Sequence, residues 1–416
     1  MTDTAQCLVN HDGPLDQRIT HYPGEVDSPA IEERNGVWHV RSLEAAREVL
    51  RSRATTQAGF NSESVSMHGL RPPILFSDGT DHRLQRAAIA RYFAPKTVDS
   101  KYMDLMTEFA DKLVDEVRRD GSVDLSKLSL RYSVMVAAQV IGLTNSDLEG
   151  MSRRLEKFFA TPALPPAVEG DAPRTMRSRF DALQMSVKGQ LPMIAFHVKD
   201  VRPAIKARKK HREPDVISHL LDEGYKEPEI MIECVTYGAA GMVTTREYIG
   251  MATWHMLDDD ALRARFLAAE KTERYQILHE ILRLEPIVGH LYRRTTEDLT
   301  LTVEGVEHTI PSGSLVDLYV RSVNADPAVV GEAPLQICPG RELPPRVGDE
   351  VMSFGDGAHK CPGNSLAIQE ADVLLTRLLK LPLKRDTKPV IQWDELIKGY
   401  EVRNIRLVVD PAASQV

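Results

Sequence analysis

Most of the hydrophobic positions in this chain recur at helical spacing, and strand-like patterns are short and few. Residues 37–40 form one short stretch that is typical of a strand. In Leu299–Ile310, apolar residues alternate with threonines, and a turn near Gly305 predicts a hairpin. Residues 315–323 predict a buried strand that leads into a helix. The pattern therefore predicts a mainly α protein with a small, separate set of β-sheets (α+β).

Two segments, residues 54–73 and 163–173, are rich in turn-forming residues and have no clean periodicity. Long loops of this kind in a compact enzyme usually line or cover a site.

No Gly/Ser linker, internal repeat or low-complexity block divides the 416 residues. We therefore expect a single domain over residues 1–416, with a loose N-terminal segment over about residues 1–20.

The chain is mildly acidic, with 60 Asp and Glu residues against 52 Lys and Arg residues. This balance argues against nucleic acid as a main partner, and the basic run at 206–212 is interpreted as a solvated helix end or loop. Residues 1–13 lack the apolar core of a signal peptide, and the most apolar stretch, 134–143, is too short to span a membrane. We expect a soluble, cytoplasmic protein without membrane insertion.

Residues 354–363 read Phe-Gly-Asp-Gly-Ala-His-Lys-Cys-Pro-Gly. Gly355 and Gly357 predict a tight turn with positive φ, and an apolar helical run follows at residues 366–368. A thiolate at Cys361 would thus lie at the N-terminus of a helix, where free N–H groups and the helix dipole stabilise negative charge. Such a cysteine suits an axial ligand to haem iron.

Other interpretations of these residues are weaker. His359 and Cys361 supply only two of the four ligands that a structural zinc site needs. A second Cys-Pro-Gly, at Cys338, lies in a proline-rich stretch and is interpreted as structural or incidental. The four cysteines include no Cys-x-x-Cys-His, so haem would be held without covalent thioether links.

The loop resembles the haem-binding loop of the cytochrome P450 superfamily, Phe-Gly-x-Gly-x-His-x-Cys-x-Gly, at all six fixed positions. The resemblance extends from about residue 78 to about residue 403. It implies the cytochrome P450 fold, with haem b between a long central helix and a proximal cysteine loop. It also implies Cys361 as the iron ligand, and Phe354, Gly355 and Gly363 as parts of the haem-binding loop.

Further residues match the family in register. Glu280 and Arg283, at spacing i, i+3, look like the Glu-x-x-Arg pair that is buried under the proximal loop and holds the core. His82 and Arg86, at i, i+4, look like the family's His-x-x-x-Arg. The candidates for binding the two haem carboxylates are His82, Arg86, Arg293 and His359.

The central helix would contain Tyr237–Thr245, where small residues make room for something large. The family motif Ala-Gly-x-(Asp/Glu)-Thr aligns with residues 240–244, which places Ala240 at the haem and gives Thr244 a role in dioxygen activation. Val243 departs from the motif because the usual acid is missing. Glu247, one turn further on, is the nearest acid along the helix, and its direction is open.

The resemblance implies a monooxygenase that inserts one oxygen atom from dioxygen into a largely apolar organic small molecule, by hydroxylation or epoxidation. NAD(P)H would supply electrons through a ferredoxin and a ferredoxin reductase, and a basic proximal patch could involve Arg83, Arg91 and Lys360. The candidate pocket residues, besides parts of 54–75, are Ala239, Ala240, Val243, Val288, Leu291 and Tyr400.

Two alternatives stay open. The same scaffold could catalyse an oxidation without oxygen insertion, such as phenol coupling or desaturation, because the acid before Thr244 is missing. The chain could also be a non-catalytic haem-binding sensor, against which the retention of Thr244 argues.

Overall fold

The structure, a computed structural model, describes residues 14–22, 28–59, 69–159, 191–394 and 397–410. The predicted loop at 163–173 and most of the irregular part of 54–73 lie outside these residues. The chain forms two compact units, one from residues 1–129 and 244–416 and the other from residues 130–243. The expectation of one domain over the whole chain stays a prediction.

Helices make up most of the described chain, which confirms the predicted mainly α class. They are α1 (Leu43–Arg51), α2 (Gly79–Phe93), α3 (Pro95–Thr97), α4 (Met103–Asp120), α5 (Leu125–Ile141), α6 (Leu148–Phe159), α7 (Arg202–Lys210), α8 (Val216–Asp222), α9 (Glu227–Tyr237), α10 (Thr244–Asp258), α11 (Asp260–Ala268), α12 (Lys271–Leu284), α13 (Val320–Asn324), α14 (Pro327–Val330) and α15 (Asn364–Leu378). Three π-helical segments are Val98–Tyr102, His197–Val201 and Gly238–Val243, and two 3-10 turns are Ile74–Phe76 and Gly357–His359.

The strands are short and, among the described residues, all belong to the larger unit. They are β1 (Ile31–Arg34), β2 (Val37–Val40), β3 (Thr55–Ala58), β4 (Ser122–Asp124), β5 (His290–Thr295), β6 (Leu299–Val303), β7 (Val306–Ile310), β8 (Leu315–Tyr319), β9 (Leu383–Arg385), β10 (Val390–Asp394), β11 (Gly399–Arg403) and β12 (Arg406–Val409). The predicted strand at 37–40, the hairpin β6–β7 and the strand-to-helix step from β8 to α13 are confirmed.

A five-stranded sheet in the order β1-β2-β8-β5-β3 organises one side of the larger unit. Only the β2–β8 pair is parallel, and its register places Trp38 beside Val316. One face packs on α1 and α13 through apolar side chains such as Val40, Leu50 and Leu318. This sheet carries Arg293 on β5, so it helps to position the candidate site.

The N-terminal residues that the structure describes are tied to the larger unit. Thr20 is fully buried, and Glu285 accepts hydrogen bonds from its backbone N–H and its hydroxyl. Arg321 donates to the hydroxyl and to the carbonyl of the same residue. Buried charged groups therefore hold Thr20, and the expectation of a loose segment over about residues 1–20 stays a prediction.

The smaller unit contains helices and no strand among its described residues. Its interior holds the ion pair between Arg208 and Asp215, in which the guanidinium also donates to Asn145 and Thr144. In the part of the chain that the structure describes, no helix is long and apolar enough to cross a membrane.

Candidate functional site

Cys361 lies in a loop that is closed by its own backbone, since the Cys361 N–H donates to the carbonyl of Phe354 at 2.8 Å. Gly355 and Gly357 have φ values of 68° and 66°, as the turn prediction required. A Cβ on Gly357 would lie 2.2 Å from the carbonyl oxygen of Leu50, so the turn also touches the end of α1 closely. Helix α15 begins at Asn364, three residues after the cysteine.

Cys361 is half-buried as a residue, and protein atoms surround its thiol closely. This burial raises the pKa of the Cys361 thiol, and three groups oppose the shift: the backbone N–H of Gly363, Arg86 and Lys360. Their positive charge and the helix N-terminus favour the thiolate form. A bound metal ion would complete the deprotonation, because coordinating thiols lose their proton.

The four cations predicted to bind carboxylates come from α2, β5 and the cysteine loop, and the structure brings members of this set into contact. The rings of His82 and His359 are stacked, with centroids 3.9 Å apart and planes at 11°. Arg86 donates to the backbone carbonyl of Lys360. Burial, with further contributions from His359 and Arg86, lowers the pKa of His82 to about 4. His82 is therefore a neutral hydrogen-bond partner at neutral pH.

The surroundings of Arg293 indicate whether these residues suit a group that carries carboxylates. Its side chain is 4% exposed and donates to the side-chain oxygen of Gln57. Burial lowers the pKa of Arg293 to about 10, and Asp78 only partly offsets this effect. A buried guanidinium with so little compensating charge is costly unless an anion pairs with it. The two carboxylates of haem would supply such an anion, so the residues present fit this cofactor.

Asp78 was missed by the sequence analysis although it organises the cluster. One carboxylate oxygen lies 3.2 Å from the Nε2 atom of His359, and the other accepts the backbone N–H of Gln57 at 2.9 Å. Burial acts to raise the pKa of Asp78, but the hydrogen bonds from His359 and Gln57 outweigh it and lower the pKa. Its place at the N-cap of α2 was visible in the sequence, whereas its partners lie far away along the chain.

Glu280 and Arg283 form a bidentate ion pair in the core of the larger unit, with nitrogen–oxygen distances of 2.8 and 2.9 Å. Arg283 also donates to the carbonyls of Asn324, Pro334 and Gln336. These bonds join α12 to the segment that precedes the cysteine loop.

Arg341, which the sequence analysis did not single out, completes this ionic group. Its Nε atom donates to Glu280 at 3.1 Å, and the backbone N–H of Cys338 donates to the same carboxylate oxygen. Cys338 is buried, in accord with a structural interpretation. The Cys-Pro-Gly-Arg sequence that contains both residues was the available signal.

Thr244 is the first residue of α10, and the π-helical segment Gly238–Val243 directly precedes it. A π-helical turn within a helical run often marks a functional site. Gly238 is buried in this segment, whereas Ala240 is exposed and Ala239 and Val243 are half-buried. The sequence predicted an unusual helix at this point but not its π-helical hydrogen bonding.

The candidate pocket residues of the larger unit differ in their surroundings. Val288 is half-buried in the segment between α12 and β5. Leu291 packs against the apolar core of the five-stranded sheet. Tyr400 is fully buried on β11, and its hydroxyl donates to the carbonyl of Glu285 at 3.0 Å. A role of these residues in substrate binding stays a prediction.

The proposed proximal cations also differ from one another. Arg83 is exposed on α2. Arg91 donates to the hydroxyl of Tyr92 and lies over its ring. Lys360 forms an ion pair with Glu350 at 2.9 Å, so part of its charge is compensated within the protein.

Residues 275–381 match the family model described as Cytochrome P450. The chain is 25% identical to Cytochrome P450(MEG) of Priestia megaterium over 388 residues, covering 89% of this chain and 88% of that protein. It is 24% identical to erythromycin C-12 hydroxylase of Saccharopolyspora erythraea, with 89% of each chain covered. The crystal structure of CYP109E1 from Bacillus megaterium in complex with testosterone has a similar fold, with a TM-score of 0.70, 21% identity and coverage of 91% of this chain and 96% of that chain.

The helical fold and the half-buried cysteine loop fit a haem-binding oxidoreductase class, and the comparisons identify its family. The chain belongs to the cytochrome P450 family and is an enzyme of its monooxygenase type. Its cofactor is the haem of that family. The predicted fold class and family resemblance are thereby confirmed.

Proposed function

We propose that this chain is a haem-thiolate monooxygenase that inserts one oxygen atom from dioxygen into a largely apolar organic small molecule. The observation that carries this proposal is the position of Cys361, next to the start of α15 and within the electrostatic reach of Arg86 and Lys360. Haem held there supplies dioxygen activation, which a thiolate ligand promotes.

The surrounding residues have separate tasks in this proposal. Cys361 ligates the iron, and Phe354, Gly355 and Gly363 shape the loop around it. Glu280 and Arg283 hold the segment before the loop through their buried hydrogen bonds. In this proposal the haem carboxylates bind to His82, Arg86, Arg293 and His359, with the buried guanidinium of Arg293 as an ion-pair partner and His82 as a neutral hydrogen-bond partner.

Thr244 is the proposed hydroxyl donor at the oxygen-activating side, and Ala240 aligns with the alanine of the family motif one turn earlier in the sequence. Val243 cannot hold or pass a proton, since its side chain is aliphatic. Protons at Thr244 therefore come through water, a substrate group or another residue, or their delivery is less efficient. This departure supports a second candidate function on the same scaffold, an oxidation without oxygen insertion. Labelled dioxygen separates the two, because only insertion places the label in the product.

The proposed substrate is apolar because the candidate pocket residues are mainly apolar: Ala239, Ala240, Val243, Val288, Leu291 and Tyr400. The structure of CYP109E1 with testosterone supports a ligand of this chemical class. We further propose that electrons from NAD(P)H arrive through a ferredoxin and its reductase, as is usual for bacterial relatives of this kind.

The first experiment is the absorption spectrum of the reduced, carbon-monoxide-bound protein, for wild type and for Cys361→Ser. We expect a strongly red-shifted Soret band in wild type and its loss in the variant, because only a thiolate ligand produces that shift. Cys234→Ala, at a buried cysteine of the smaller unit, should keep the band. A folded wild type with the Soret position of histidine-ligated haem would contradict the proposal and favour a sensor role.

A further inference from the structure

Four charged side chains form a cluster between helix α10 and strand β11 of the larger unit. Arg246 and Glu247 come from α10, and Glu401 and Arg403 come from β11. Arg403 lies 2.8 Å from Glu247 and 2.9 Å from Glu401, while Arg246 lies 2.6 Å from Glu247 and 3.7 Å from Glu401. Each acid thus faces both bases, and the cluster has no net charge when all four groups are ionised.

Glu247 is the most buried acid of this cluster, with 2% of its side chain exposed, and both of its oxygens are occupied. Oε1 accepts hydrogen bonds from Arg246 Nε at 2.7 Å and from Arg403 at 2.8 Å. Oε2 accepts the backbone N–H of Val402 at 2.7 Å. Among the residues that the structure describes, strand β11 pairs with β10 alone in a two-stranded sheet. The Glu247 carboxylate therefore accepts a hydrogen bond from a backbone N–H at the edge of that sheet.

The other end of the β10–β11 hairpin is locked to the segment between α12 and β5. The backbone N–H of Gly289 donates to the carbonyl of Ile397 at 3.0 Å. A Cβ on Gly399 would lie 1.9 Å from the carbonyl oxygen of Ile287, and a Cβ on Gly289 would lie 2.0 Å from that of Lys398. The two backbones are therefore in direct contact on either side of Val288, a proposed pocket residue.

We propose that Glu247 is a positioning residue that fixes the β10–β11 hairpin, and with it the pocket wall near Val288 and Tyr400, relative to Thr244. Thr244 begins the same helix one turn before Glu247, so the carboxylate links the oxygen-activating end of α10 to the hairpin. This inference rests on the proposed function, because it takes Thr244 and Val288 to face the substrate.

The same geometry argues against Glu247 as a replacement for the acid missing at Val243. An acid that delivers protons needs a free oxygen that can gain and lose them, whereas three donors hold both oxygens of Glu247. Glu247 therefore acts through the position of the hairpin and not by proton transfer.

The test compares Glu247→Gln with wild-type holoenzyme, and Glu401→Gln is the matched control, since this acid belongs to the same cluster but lies 25% exposed at its rim. Glu247→Gln keeps the size of the side chain and removes the charge that pairs with Arg246 and Arg403. We expect hydrogen exchange at the Val402 amide to accelerate about tenfold, because a charge-assisted hydrogen bond is lost. Glu401→Gln should change that rate by less than about threefold.

Two azoles then report on the pocket. Clotrimazole, a bulky probe that contacts the pocket wall, should bind about tenfold more weakly to Glu247→Gln, whereas imidazole, which needs only the iron, should bind equally well. With a surrogate ferredoxin and reductase, the solvent isotope effect on NADPH oxidation should stay at the wild-type value in Glu247→Gln. It should change in Thr244→Ala.

Unchanged Val402 exchange together with unchanged clotrimazole binding would overturn the proposal, as would an altered solvent isotope effect with normal clotrimazole binding. If Glu247→Gln does not fold, Glu247→Asp keeps the charge but shortens the reach to Val402, and the same two readouts apply. The carbon-monoxide spectrum of wild type is recorded in parallel. Absence of the red-shifted Soret band would contradict the monooxygenase proposal. Hydrogen exchange at the Val402 amide tests the attachment of the hairpin independently.

Discussion

Glu280 shows how a single buried acid can hold a distant loop in place. Its carboxylate accepts hydrogen bonds from Arg283, from Arg341 and from the backbone N–H of Cys338. Burial lowers the pKa of Arg341, and Glu280 opposes this shift. Arg283 and Arg341 cannot leave the core without losing their backbone carbonyl partners. Glu280, which accepts hydrogen bonds from both, therefore determines whether this segment is stable.

We predict that Glu280→Gln lowers the free energy of unfolding by about 3–5 kcal/mol, because removal of one partner leaves buried charge uncompensated. Chemical denaturation of the purified protein measures this change, and the amount of bound haem should fall in parallel. Glu273→Gln is the control on the same helix. It breaks a partly exposed pair with Arg265 and should cost less than about 1 kcal/mol. Equal losses in both variants would contradict the prediction.

At the scale of elements, the cysteine loop is attached to helix α1 by charge and by close backbone contact. Asp356 accepts hydrogen bonds from Arg47 and Arg51, both on α1. Beside it, Gly357 lies so near Leu50 that no side chain fits between them. The place of the cysteine loop therefore depends on an element about 300 residues earlier in the chain.

We predict that Gly357→Ala destabilises the protein more than Gly305→Ala and also weakens haem retention. Both glycines have positive φ, so both variants carry a cost of about 1–2 kcal/mol for a left-handed alanine. Only at Gly357 does the added Cβ meet a backbone oxygen. Thermal unfolding and the rate of haem transfer to apomyoglobin measure the difference. Equal haem transfer rates for the two variants would show that contact with α1 does not position the loop.

At the scale of the whole molecule, the chain carries a formal net charge of −8, so a basic area would stand out against its acidic background. Among the candidates, Arg83 is exposed, whereas Lys360 is paired with Glu350. Exposed charge accelerates association with an oppositely charged partner, and salt screens the effect. Arg83 is therefore the candidate whose charge is most available to a redox partner.

We predict that Arg83→Glu slows reduction by an acidic surrogate ferredoxin roughly three- to tenfold at low ionic strength, and that the difference shrinks in high salt. Stopped-flow reduction under carbon monoxide measures the rate. Arg118→Glu, at an exposed arginine of α4, makes the same change in net charge and should leave the rate near that of wild type. If both variants slow reduction equally, net charge alone governs the encounter.

Local sequence patterns were enough to predict the elements that are formed by residues close to one another in the chain. The hairpin β6–β7 follows from alternation around one turn, and the turn of the cysteine loop follows from its glycines. Strand β3 was not predicted, because Thr55–Ala58 is polar and is stabilised by pairing with β5, far along the chain. The contacts of Asp78 and Arg341 were missed for the same reason.

The sequence by itself determined the class of this protein, because the ten residues from Phe354 to Gly363 encode a turn, a candidate thiolate ligand and a helix start from neighbours in the chain. Only the tertiary structure decided the role of Glu247. Along the chain, this acid stands one turn after Thr244, and its direction was open. Folding places β11 beside it, and three donors from both elements occupy its oxygens. A long-range contact of this kind leaves no local pattern, since its energy arises only when distant segments meet.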